Sequence, residues 1–182
     1  MLYTIKTTQF LNTDLETAWG FISSPQNLAK ITPPHMGFDV LTPAEELKEM
    51  YPGQIIEYYV SPLLGIKIHW VTEITQVVPR KYFVDEQRFG PYAFWHHKHF
   101  LKEVEGGVEM TDLIHYKLPL GVFGRIAQAL FVKRQLKDIF AYRRIALDKL
   151  FISDIAKSEI NQIECRISDF VYYSAETSSI QR

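Results

Sequence analysis

His97 and His99 stand two residues apart in Ala93–Val104, a run rich in aromatic side chains. In an extended strand, residues two apart share a face. One face of this run carries Trp95, His97, His99 and Leu101; the other carries Phe94, His96, Lys98, Phe100 and Lys102. The next run, Val108–Leu118, divides in the same way: Met110, Asp112, Ile114, Tyr116 and Leu118 against Glu109, Thr111, Leu113, His115 and Lys117. The sets with fewer formal charges are expected to face inward. A two-residue turn at Glu105-Gly106 sets His99 opposite Asp112, His97 opposite Ile114, Trp95 opposite Tyr116 and Leu101 opposite Met110. A turn at Gly106-Gly107 shifts the pairing by two but keeps the same faces together, so the faces are firmer than the register.

A connection through Gly90-Pro91-Tyr92 extends this surface to Lys81–Phe89. It places Gln87 beside Trp95, Asp85 beside His97 and Phe83 beside His99. The strand Ile66–Val78 adds Ile66, Ile68, Trp70 and Ile74. The product is an apolar and aromatic wall holding a polar stripe of Asp85, Gln87, His97, His99 and Asp112. Burying such groups costs on the order of several kcal/mol each unless they are hydrogen-bonded or hydrated. An inward face with this stripe has paired its members or borders a wet cavity, and both readings favour a pocket over a dry core.

Three chemistries suit these residues. Two imidazoles and a carboxylate can hold zinc or iron, but no motif supports that spacing, and the expected state is a hydrogen-bonded network with no metal. A His99–Asp112 pair suits general acid–base catalysis. The plainer reading, which is preferred, is a polar lining that orients a ligand. Arg143, three residues beyond Phe140 on a long helix, can turn toward the cavity and meet a ligand carboxylate, Asp85 or Asp112. Arg144 reads as a surface arginine and His35 as a solvated loop histidine. Lys133-Arg134-Gln135-Leu136-Lys137 reads as a solvated helix face, with membrane docking during ligand loading the less favoured alternative. The chain has no nucleophile elbow, phosphate loop or dinucleotide fingerprint.

The elements that must position these residues follow from periodicity and punctuation. Tyr3–Leu11 reads as a first strand. Thr13-Asp14-Leu15-Glu16 is a capping box opening a helix to Ile22. Ser24-Pro25 restarts a helix that ends before Pro33-Pro34. Short strands at Gly37–Leu41 and Gln54–Val60 precede the long ones described above. From Val122 to Phe151 an amphipathic pattern predicts a helix of about 28 residues, about 42 Å long. Beyond it, alternation of Ile163, Cys165 and Ile167, then of Phe170 and Tyr172, allows a late strand or a partner-dependent tail. An antiparallel sheet this long curls, and only the long helix is large enough to cover it.

The chain has 182 residues, enough for one domain with a tail. With 20 Lys+Arg against 21 Asp+Glu, bulk charge gives no reason to expect nucleic acid or an anionic membrane. A single cysteine excludes an internal disulfide and a cysteine-rich zinc site. Aromatics reach 14%, which points to large side chains lining a space. Met1–Phe10 lacks a secretory leader pattern, and no run approaches the roughly 20 apolar residues of a membrane span, so a cytoplasmic location is expected.

Several segments carry a family resemblance: Ile31-Thr32-Pro33-Pro34, Trp70 with Ile74, Asp85-Glu86-Gln87, Gly90-Pro91-Tyr92 and Trp95-His96-His97-Lys98-His99-Phe100. Met110-Thr111-Asp112, Tyr116-Lys117-Leu118-Pro119-Leu120-Gly121 and Ile139-Phe140-Ala141-Tyr142-Arg143 continue it. Over Met1 to Phe151 the chain resembles the START-related helix-grip superfamily (SRPBCC), and within it a bacterial branch of ligand-binding proteins. That resemblance implies an α+β fold with a seven-stranded curved antiparallel sheet wrapped on a long C-terminal helix, and two short helices after strand one. It implies a largely apolar cavity, in a superfamily whose members bind lipids, sterols, polyketides and plant hormones. Some of them are polyketide cyclases or dehydratases.

The expected organisation is a ligand-binding domain over 1–152 and a C-terminal extension over 153–182. The expected function is binding of a small, mostly hydrophobic molecule: a lipid, isoprenoid or polyketide-like compound. The expected lining is Trp70, Asp85, Gln87, Trp95, His97, His99, Met110, Asp112, Ile114, Tyr116, Phe140 and Arg143. The alternative is a cyclase or dehydratase working through His99 and Asp112. No cofactor, metal or nucleic-acid partner is expected, and a homodimer is compatible with the sequence.

Overall fold

The structure is a computed structural model that describes residues 1–61 and 66–152. Met1–Lys149 packs as one unit. Strand β1 (Tyr3–Leu11) alternates half-buried and exposed residues up to buried Leu11, as a strand with one covered face must. Helix α1 (Leu15–Ile22) buries Ala18 and Ile22. Its cap is Asp14 rather than the expected Thr13. The Asp14 carboxylate accepts from the Thr17 amide at 2.8 Å and the Thr17 hydroxyl at 2.7 Å. A carboxylate at that position both pairs the free amide and sets negative charge at the positive end of the helix, which a threonine hydroxyl cannot do.

The segment after Ser24 is a 3-10 helix, Pro25–Ile31, not an α-helix, and the Ser24 side chain makes no capping bond. A single 3-10 turn, Pro34–Met36, follows. The sheet then continues through β2 (Asp39–Val40), β3 (Ile55–Val60), β4 (Ile68–Val78), β5 (Tyr82–Phe89), β6 (Phe94–Val104) and β7 (Gly107–Lys117). The seven antiparallel strands lie in the order β1-β7-β6-β5-β4-β3-β2. Two register shifts in β4, between Val71 and Thr72 and between Ile74 and Gln76, bend the sheet.

The β6–β7 register follows the Glu105-Gly106 turn. Trp95 pairs with Tyr116, His97 with Ile114, His99 with Asp112 and Leu101 with Met110. In β5–β6, Phe83 faces His99 and Asp85 faces His97, but the ladder stops at Glu86–His96. Gln87 therefore does not pair with Trp95. Ile66 precedes β4 and is 60% exposed, so it is not part of the inner wall.

A helical arm crosses the inner face: α2 (Gly121–Ala127), a π turn (Gln128–Val132) and α3 (Lys133–Leu150). The long C-terminal helix is present, but the unbroken α-helix expected from Val122 is not. Ala127, Val132, Leu136, Phe140 and Arg143 all line the space between arm and sheet. The step from Ala127 to Val132 is five residues where the others are three or four, and the π turn supplies that step. Where the arm meets the sheet directly, Leu136 packs on Ile114 and Tyr116, with Tyr3, Ile5 and Ile139 around them. Among the described residues, no helix is long and apolar enough to cross a membrane. The expected extension 153–182, with its late strand, lies outside the described residues.

Two glycines separate close approach from simple helix propensity. A Cβ on Gly107 would lie 2.3 Å from the Leu11 carbonyl oxygen and 2.7 Å from the Phe10 ring; at Gly20 it meets nothing within 4 Å. Gly107→Ala is expected to cost about 2 kcal/mol by forcing β1 off β7. Gly20→Ala, inside α1, is expected to gain about 0.5–1 kcal/mol. Urea denaturation of the two variants checks both signs.

Candidate functional site

Between the arm and the sheet lies a cavity of about 590 Å³. Its walls are mostly carbon. Ile56, Tyr58 and Val60 come from β3, and Ile68, Trp70, Thr72 and Ile74 from β4. Leu28, Ile31 and Met36 of the 3-10 segments close another side, and Leu120 and Phe123 stand at an exposed rim.

One wall is an aromatic cluster. Trp70 meets Trp95 edge-on at 5.5 Å and Tyr92 at 5.6 Å, and Tyr92 lies 4.8 Å from Trp95. Gln87 builds this wall without lining it. Its amide donates to the Tyr92 carbonyl at 2.7 Å and accepts from the Tyr92 N–H at 3.2 Å. The tight turn needs Gly90, whose φ of +154° suits glycine and whose absent Cβ would sit 2.5 Å from the Gln87 amide oxygen. A second small network joins Tyr58 and Thr72 through their hydroxyls at 2.9 Å, and Trp70 Nε1 donates to Thr72 Oγ1 at 3.0 Å. Burial, with Asp85 nearby, pushes the Tyr58 phenol far up, so it stays a neutral hydroxyl.

The polar side of the cavity gathers residues from four elements. Period two on β6 places His97 and His99 side by side, their rings 3.7 Å apart. Asp85 comes from β5, Asp112 from β7 and Arg143 from α3. His99 Nε2 donates to Asp85 Oδ2 at 2.7 Å. His99 Nδ1 lies 2.9 Å from Asp112 Oδ1 but off the direction a hydrogen bond needs, so that attraction is mainly charge. His97 Nε2 donates to the same Asp112 oxygen at 3.0 Å, and the Arg143 guanidinium stands 3.9 Å from it.

Charge sorts itself over this cluster. Burial alone would raise both carboxyl groups, yet Asp85 is held below its ordinary value by His97 and His99, and Asp112 well below it by Arg143 and the two imidazoles. Burial and the neighbouring His99 push His97 down. Burial also opposes a proton on His99, but its two carboxylate partners outweigh it and raise that group. The directions oppose one another across the pair: the carboxylates favour a proton on His99, while burial and His99 disfavour one on His97.

Asp85, His97 and His99 offer donor atoms within 4.8 Å of one another, a set that suits zinc or ferrous iron. The same imidazoles are also in reach of Asp112, and Arg143 stands 3.9 Å from that carboxylate. Acid–base work by His99 fits the geometry less well, because each of its ring nitrogens lies within 2.9 Å of a carboxylate. Arg143 differs from the rest: it is 7% exposed, lines the cavity, and its Nε has no hydrogen-bond partner.

Of the residues expected to line the site, Trp70, Asp85, Trp95, His97, His99, Phe140 and Arg143 do so. Asp112 sits behind the imidazoles rather than on the wall. Ile114 and Tyr116 belong to the packed core beneath α3, and Met110 is buried further along β7. The arm rests on the β7 side of the sheet and fills it, which leaves space over β3 to β6. Tyr58 and Thr72 were not expected. Thr72 is legible in retrospect, since it continues the two-residue series of Ile68, Trp70 and Ile74. His35 is exposed and off the wall, and Lys133, Arg134 and Lys137 are solvated.

No family profile matches the chain, and no curated protein does. Solved structures do. A protein from Chromobacterium violaceum aligns with a TM-score of 0.63 at 17% identity, over 83% of this chain and 99% of that one. A protein from Mycobacterium smegmatis aligns with a TM-score of 0.60 at 16% identity, over 83% and 91%. The major latex-like protein of Panax ginseng aligns with a TM-score of 0.60 at 11% identity, over 84% and 99%. At these identities the likeness is one of fold, the helix-grip arrangement of curved sheet and C-terminal helix.

Proposed function

We propose that the chain binds one small, mostly apolar molecule in this cavity and holds a polar group of that molecule against Arg143, with His97 and Asp85 alongside. Arg143 carries the reading. Arg143 brings a buried positive charge to the wall of an apolar cavity, a costly arrangement that a ligand oxygen beside the guanidinium would offset. The volume of about 590 Å³ fits a drug-sized molecule. A lipid, an isoprenoid or a polyketide-like compound bearing a carbonyl, hydroxyl or carboxyl group meets these conditions. The role is binding or carriage rather than turnover, since His99 is engaged by two carboxylates. The proposal takes 1–152 as the working domain, in the cytoplasm.

Native mass spectrometry of the purified chain checks it directly. The expected result is a co-purifying mass released by organic solvent and lost in Arg143→Met. Protein that carries nothing and takes up no member of a panel of apolar acids, alcohols and ketones would sink the reading.

A further inference from the structure

The helical arm presents a face that the cavity does not use up. Leu120, Val122, Phe123, Ile126, Leu130 and Phe131 lie within one short stretch, all between 51% and 77% exposed. Single exposed apolar residues are ordinary, but a cluster of six large ones marks an interaction surface. Arg125, Lys133, Arg134 and Lys137 accompany them, and the chain has no acidic residue between Asp112 and Asp138. The whole chain is nearly neutral, with a formal charge of −1, so this stretch is a local cationic excess. Two of its apolar members, Leu120 and Phe123, also line the cavity, so the patch runs into the rim.

Three occupants compete. A second copy pairing symmetrically through this face would set cations against the same cations, with Asp138, 3.9 Å from Arg134, offsetting only part of their charge. An acidic protein groove would satisfy the charges, but nothing in the patch selects a particular shape. A bilayer with anionic lipids satisfies both features together: apolar side chains enter the headgroup boundary while lysine and arginine meet phosphate. Spanning is excluded for these helices, since none is long and apolar enough.

We propose that the arm from Leu120 to Lys137 docks flat on an anionic membrane surface, with Phe123, Leu130 and Phe131 inserted and Arg125, Lys133, Arg134 and Lys137 at the phosphates. Docking stands independently of the ligand reading. Where that reading also holds, an apolar molecule passes between bilayer and cavity beside Leu120 and Phe123 without crossing water.

The test is co-sedimentation of the full chain with phosphatidylcholine vesicles and with vesicles containing ~30% phosphatidylglycerol, at ~0.15 M salt. Binding is expected to be at least about tenfold stronger on the anionic vesicles and to fall as salt rises. Leu130→Asp with Phe131→Asp is expected to lose binding by at least about tenfold. Both side chains are exposed and off the cavity wall, so the variant should keep the wild-type melting temperature and its uptake of a fluorescent apolar probe. Lys133→Glu with Arg134→Glu should erase the preference for phosphatidylglycerol. Three results overturn the proposal: folded protein that ignores anionic vesicles, binding that survives the Asp variant, or a dimer in sedimentation velocity that the Asp variant abolishes. Vesicle binding without probe uptake would sink the ligand reading alone; uptake without vesicle binding would sink docking alone.

Discussion

Arg143→Met is expected to destabilise the protein by about 3 kcal/mol, or roughly 6–12 °C in melting temperature for a domain of this size. The change keeps most of the side-chain volume and removes only the charge. Asp112 and Asp85 would then have lost the guanidinium and keep only the imidazoles of His97 and His99 beside them, with Asp112 buried at 5% exposure. Losing one member of a buried ion cluster costs far more than the cluster contributes, because an uncompensated charge stays behind. The companion test is Arg143→Met with Asp112→Asn, which removes one charge of each sign and should recover most of the loss. Equal stability of Arg143→Met and wild type in urea denaturation would mean that the guanidinium does not balance Asp112.

Stability is expected to peak near pH 6.5, the ordinary value for histidine, and to fall on both sides. The folded-state value of His99 is raised, so its contribution is complete below 6.5 and is lost as pH climbs through the raised value. The folded-state value of His97 is lowered. Below 6.5 the unfolded chain binds a proton there that the folded chain refuses, and stability declines. Asp85 and Asp112 are both lowered from 3.8, so their contributions hold above 3.8 and disappear as pH falls through their folded values. Each limb has a slope of at most about 1.4 kcal/mol per pH unit per proton. His97 and His99 are in contact and titrate as a pair, so the curve belongs to both. Urea denaturation from about pH 5 to about pH 9 measures it, and His99→Gln should flatten the alkaline limb. Stability that keeps rising through the alkaline range would contradict an imidazolium held by two carboxylates.

The polar cluster was legible because it depends on short-range rules. Period two on β6 put His97 and His99 together, and a two-residue glycine turn set the β6–β7 register that brings His99 to Asp112. Where the arm comes to rest was not legible. Met110, Ile114 and Tyr116 have the same alternation as the cavity wall, and only long-range packing of Leu136 onto Ile114 and Tyr116 separates core from lining. Gln87 had the right face but lies beyond the end of the ladder, and its amide goes to the turn. The π turn has no marker in Gln-Ala-Leu-Phe-Val; it is required by where Ala127 and Val132 must both point. At Asp14, two adjacent residues are both good caps, and position in the turn decided between them.

A sheet with two open borders invites other chains to add to it, and this one guards each border differently. On the β1 side, the Arg144 guanidinium takes the Thr8 carbonyl at 2.6 Å, while Gln9 reaches the Arg144 carbonyl at 2.8 Å and Asp148 at 2.7 Å. The helix thus buckles the first strand at mid-length and removes a group that a foreign strand would need. The opposite border, β2, is only two residues long, too short to seed a ladder. Together these features favour a chain that stays dispersed when crowded instead of growing into fibrils.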